Sequence, residues 1–201
     1  MVIKFKLKPK HIIWAAASAA VVLLLKYIFF PSNYLPSEFS DARIKGAVIA
    51  QKIVEFSRDT LARLNEVGKY DQVGNSPEAL IAISNAVIAN RENQVEAIRL
   101  SSQLNAMAEN LPSIRPSRGR ELATQAVTAE IALVSRLLYY NNYLNQLFEA
   151  LKVKFEKPWV AYLDGQVADL ISKINDEVQA INELNKEFNS TMAEFDKIFA
   201  G

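Results

Sequence analysis

The chain has 201 residues, 50% of them hydrophobic, with a net charge of +1 and no cysteine. That is enough apolar material for one domain of ordinary size and too much for a disordered chain. The missing cysteines exclude disulfides, thiolate metal sites and cysteine nucleophiles, and the balanced charge offers no broad basic surface for nucleic acid.

Charge is unevenly placed. Lys4, Lys6, Lys8, Lys10 and Lys26 all lie in the first thirty residues, which hold no Asp or Glu. Between them runs Ile12 to Phe30, an apolar stretch broken only by Lys26. As a helix it spans about 28 Å, close to the roughly 30 Å of a hydrocarbon core. Lys26 lies near the end of the run and can snorkel to the headgroups, while Trp14, Tyr27 and Tyr34 suit the two interfaces. A cleaved signal peptide shares the basic start and apolar run, but no small-x-small site follows; the next residues are Lys-Tyr-Ile-Phe-Phe-Pro. The sequence therefore reads as a basic cytoplasmic tail (1–11), an uncleaved single-pass transmembrane anchor (12–30), a linker (31–36) and an extracytoplasmic domain (37–201). Lysines ahead of the anchor keep the N-terminus cytoplasmic. The expected location is the cell membrane, with the lipid bilayer as first partner.

Proline and glycine punctuate the rest of the chain. Pro31 and Pro36 come after the anchor, and Pro77, Pro112, Pro116 and Pro158 divide the remainder, with Gly68, Gly74 and Gly119 beside two of the breaks. Four long segments result, about 37–68, 77–111, 117–156 and 159–199. Ser76 reads as an N-cap, with Pro77 at the first helical position and Glu78 near the positive helix end.

The last segment carries a heptad seam. Ile171, Val178, Met192 and Phe199 form one series, and Ile174, Ile181, Phe188 and Phe195 the other, with Asn185 the polar exception. The third has Val134, Leu137, Leu144, Phe148, Leu151 and Phe155, interrupted by Asn141. The first shows Ala47, Ala50, Val54, Leu61 and Leu64, and the second, less regular, Ile83, Val87, Ala97, Leu104 and Leu111. No period-two alternation competes. The fold expected is all-α: an up-down-up-down four-helix bundle with coiled-coil-like seams behind one membrane helix. Residues 69–76 and the Lys157-Pro158-Trp159 turn, or the nearby Asp164-Gly165 pair, would then lie far from the membrane, and residues 112–117 near it.

Catalytic sets are missing. The only histidine is His11, before the anchor, so no Ser-His-Asp triad, Glu-x-x-His di-iron pair or ordinary zinc site can be assembled, and no phosphate-cradling glycine loop is present. The expectation is a protein that is not an enzyme and has no cofactor.

Three groups of residues invite a functional reading. Arg115, Arg118 and Arg120, in Ile-Arg-Pro-Ser-Arg-Gly-Arg, could meet lipid phosphates, or form an ordinary polar loop. Tyr70, Trp159 and Tyr162, at the distal turns, either anchor a partner or plug the bundle end. Tyr139, Tyr140, Asn141, Tyr143 and Asn145 could line a ligand pocket, or form a core seam with amphipathic flanks. Asn141 and Asn185 occupy seam positions, where a buried amide fixes register, and their offset along the helices argues against their pairing with each other.

The layout of tail, anchor and helical remainder resembles the LemA family, and Glu130-Ile131-Ala132, Arg136 and Tyr140-Asn141 are similar to that family's Ile-Ala…Arg…Tyr-Asn helix. The likeness covers residues 130–141 only, and the Arg-Arg…Asp-Leu-Ile-Pro-Asn-Leu stretch expected after the anchor is absent, so no membership is claimed. The reading favoured is a membrane-anchored helical scaffold or interaction protein, or a subunit of a membrane-associated assembly, with an unidentified protein partner and self-association through leftover apolar faces. The alternative is an extracytoplasmic bundle that senses or binds a ligand.

Overall fold

The structure is a computed structural model and describes residues 35–157, 159 and 163–199. These residues are all-helical. Helix α1 spans Ser37–Val73, α2 Ser76–Asn110, α3 Ser117–Glu156 and α4 Leu163–Phe199, with a 3-10 turn at Leu111–Ser113 between α2 and α3. The proposed anchor, residues 12–30, lies outside the described residues. No described helix is long and apolar enough to cross a membrane.

Side-chain partners fix the topology. Gly46 of α1 faces Leu100 of α2, and Ser57 of α1 bonds Asn93 of α2. Asn90 reaches Asn141 and Asn145 of α3. Arg118 meets Glu194, and Arg136 meets Glu177, joining α3 to α4. Arg43 meets Asp196, joining α1 to α4. In each series one residue number rises as the other falls, so neighbours are antiparallel and the four helices run up-down-up-down as a bundle.

The helix ends differ from the sequence expectation in three places, each for a local reason. First, α1 does not stop near Gly68; it continues to Val73 and ends at Gly74, whose φ of 71° is left-handed. The Gly74 and Asn75 amides donate back to the Asp71 and Tyr70 carbonyls. An interior glycine costs a helix only about 1 kcal/mol, whereas a left-handed residue ends it. The expected 69–76 loop is thus two residues, Gly74 and Asn75. Second, the N-cap of α2 is Asn75 rather than Ser76: its side chain accepts from the Glu78 amide, and Pro77 lies in the first turn. Third, α4 begins at Leu163, not at 159, so the last turn lies between Glu156 and Leu163 and Asp164-Gly165 is in the first turn of α4.

The α4 seam is largely buried as expected: Ile174, Val178, Ile181, Asn185, Met192, Phe195 and Phe199 face the core, with Ile171 and Phe188 half-buried. The α2 seam faces inward as well, with Ile83, Ala97 and Leu104 buried and Val87 and Leu111 half-buried against the core, but alanine makes up most of the rest of that face. The inner face of α2 is made of Ala79, Ala82, Ala86, Ala89 and Ala97 with Ile83, Leu100 and Leu104, while Ile81, Ile88, Val95 and Ile98 point outward. Alanines inside let α1 and α3 approach α2 closely.

Two glycine substitutions should move stability in opposite directions. Gly74→Ala meets no atom within 4 Å, so its only cost is the left-handed backbone, roughly 1 kcal/mol. Gly165→Ala, also unobstructed but helical, should gain roughly 0.5–1 kcal/mol. Urea midpoints shifting down and up, with unchanged slopes, would show this.

Candidate functional site

The interior holds more polar groups than the sequence suggested. Asn90, Asn93 and Asn141 are fully buried and Thr60 nearly so. Asn90 and Asn93 lie three residues apart on one face of α2, in phase with its inward alanines. The Asn90 Nδ2 donates to the Asn141 carbonyl at 2.8 Å and to the Asn145 Oδ1 at 2.8 Å. The Asn93 Nδ2 donates to the Ser57 Oγ at 2.9 Å and to the Asn141 Oδ1 at 3.3 Å. One amide cluster therefore joins α1, α2 and α3 at mid-height. Asn90 Oδ1, Asn93 Oδ1, Asn141 Nδ2 and Thr60 Oγ1 are buried without a hydrogen-bond partner.

Such orphans cost about 1–3 kcal/mol each, so an apolar filling would be more stable. The chemistry of the cluster is specification. A one-turn slip of any of these helices would break the bonds that Asn90 and Asn93 make to Asn141, Asn145 and Ser57. Asn141 is legible in the sequence as a seam amide; Asn90 and Asn93 are not. Their signal is the Ala86, Ala89, Ala97 series, which the larger aliphatics on the outer face obscure. Asn185 of α4 is buried too, and its own helix supplies a donor, the Asn189 Nδ2.

The Tyr-Asn stretch of α3 spreads around the helix. Tyr139 faces solvent, Tyr140 and Asn141 face the core, and Tyr143 lies at the α4 edge with the Lys173 ammonium 5.9 Å from its ring centroid. Burial pushes the Tyr140 phenol up to about 12. Asn145 is half-buried and bonded to Asn90. A void of about 20 Å³ adjoins Tyr140, lined also by Thr60, Leu61, Leu64, Leu144, Leu147, Ile171 and Ile174. That is room for one water, where a small-molecule pocket needs several hundred Å³.

Arg115, Arg118 and Arg120 are exposed at the α2–α3 connection. Arg118 is shared by Glu121 at 3.4 Å and Glu194 at 3.6 Å. At the opposite end Lys154 lies 3.9 Å from Asp71 and 3.3 Å from Asp164, tying the α1–α2 turn to the last turn. Here Val73 and Trp159 are the most exposed large hydrophobics among the described residues, at 75% and 76%. Trp159 does not plug the bundle; Leu163 and Val67 are buried at that end, and Tyr70 packs half-buried against the core. Tyr162 lies outside the described residues.

Three glutamates are also buried. Glu96 receives Arg99 at 2.6 Å and Glu177 receives Arg136 at 3.5 Å. Glu130 is 4% exposed, its Oε2 has no hydrogen-bond partner, and desolvation raises its pKa from 4.5 to about 7. The folded state then holds this proton more tightly than the unfolded chain does. Its contribution is full below pH 4.5, falls as pH rises to about 7, and is level above, a loss of roughly 3 kcal/mol. Glu130→Gln should remove this slope and leave the protein more stable than the parent at pH 8, as urea titrations across that range would show.

No family model, curated protein or solved structure matches this chain.

Proposed function

We propose that this protein is a membrane-anchored helical scaffold that holds a protein-binding tip away from the bilayer. The observation that carries the reading is the exposure of Val73 and Trp159 together at one end of an otherwise closed bundle. Tryptophan is among the residue types most enriched as partner anchors, and an exposed one offers a large apolar surface to a partner. The chain enters α1 at the opposite end, beside Ile114, Phe195 and Phe199, so an anchor at residues 12–30 would leave the tip distal. With helices of 35–40 residues, the separation is about 50 Å.

At the entry end, Arg115 and Arg120 are the groups we assign to lipid phosphates, since Arg118 already has two carboxylate partners. The void beside Tyr140 is water-sized, which does not favour the ligand-binding alternative at the Tyr-Asn stretch.

Photo-crosslinking in native membranes tests the tip directly. A benzophenone residue at Trp159 should give a discrete protein adduct, and one at Glu183, exposed on the side of α4, should not. No adduct at 159, or adducts at both positions alike, contradicts the proposal. Trp159→Ala should abolish a Val73-directed adduct while changing folding stability by less than about 0.5 kcal/mol.

A further inference from the structure

We propose that the bundle opens along one seam, between α1 and α4, with Arg43 and Asp196 as its latch. This goes beyond the tip and does not depend on it. Helix α1 lies close to α2 along its length, α2 to α3 and α3 to α4, but the backbones of α1 and α4 barely come within 8 Å of each other. Side chains close the gap.

At the entry end Arg43 makes a two-pronged contact, its Nη1 donating to the Asp196 Oδ1 at 2.8 Å and its Nη2 to the Oδ2 at 2.9 Å. The guanidinium carbon also lies 5.9 Å from the Phe195 ring centroid. That ring is 5.9 Å from Phe39 and 4.6 Å from Phe199. Bidentate geometry and partial burial make this the strong class of ion pair. Midway along the seam the packing is poor. The void of about 20 Å³ lies between Thr60, Leu61 and Leu64 of α1 and Ile171 and Ile174 of α4, floored by α3. Thr60 Oγ1 is buried there without a partner, and Leu61 and Ile171 are only half-buried despite their heptad positions.

The rest of the molecule resists separation. Asn93 bonds both Ser57 and Asn141, so α1, α2 and α3 are pinned to one another by an interior cluster. Helix α4 pivots on α3, and swinging it from α1 exposes an aliphatic strip that includes Leu61, Leu64, Ile171 and Ile174. The latch lies within the first two turns of α1, so the direction in which the chain enters at Leu35 bears on it mechanically.

The absence of cysteine makes site-directed spin labelling clean. In the full chain, nitroxides at Lys52→Cys and Glu187→Cys report on the seam, and a second pair at Glu92→Cys and Asn142→Cys on the α2–α3 interface. Asp196→Ala should raise the long-distance population of the 52/187 pair about tenfold and leave the 92/142 pair unchanged, and Arg43→Asp with Asp196→Arg should restore the parent distribution. Asp196→Asn replaces the alanine variant if circular dichroism shows helicity lost. An unchanged 52/187 distribution, or broadening of both pairs together, overturns the latch.

Discussion

Four long helices could pack with many relative shifts, because aliphatic seams repeat every turn or two and are nearly degenerate to sliding. The interaction that removes the degeneracy is the amide cluster of Asn90, Asn93 and Asn141 with Ser57. A one-turn slip of α2 against α3 would strand those amides in an apolar layer. Everything at the ends depends on this. The short Gly74–Asn75 turn fixes α2 against α1, the cluster fixes α3 against both, and Lys154 then falls between Asp71 and Asp164. Val73 and Trp159 are exposed at that same end.

The energetics point to the same division of labour. Stability comes from apolar burial, above all by α3, whose Leu122, Leu133, Leu137, Leu144, Leu147, Phe148 and Leu151 are all in the core. The buried polar groups work against it. Glu130, Thr60 and the unpaired amide atoms each lower stability relative to an apolar residue of the same size. A bundle that carries them trades stability for a unique arrangement.

Much of the architecture can be read from the residues. Pro77 and Pro116 lie at true boundaries because proline is excluded from helix interiors, and the α4 seam is visible because its large apolar residues repeat with a single polar exception. Two features are hidden for physical reasons. Gly68 and Gly74 look alike in sequence, yet only Gly74 adopts the left-handed backbone that ends α1. In α2 the seam residues Ile83, Ala97 and Leu104 are buried, but Ile81, Ile88, Val95 and Ile98 are exposed, so aliphatic residues occur on both faces. Close helix approach places alanines inside, so Asn90 and Asn93 do not stand out as interior. The exposure of Trp159 is a tertiary property; an aromatic in a loop reads equally well as plug or anchor until its neighbours are known.

That the amide cluster sets the register is open to one direct measurement. Replacing Asn90, Asn93 and Asn141 together by leucine keeps side chains of similar size and removes the polar constraint. The expected product is a protein of undiminished helicity and equal or greater thermal stability, whose amide proton–nitrogen spectrum is broadened or doubled as several registers become populated. A single sharp set of resonances, with the Trp159 and Val73 signals unmoved, would contradict it.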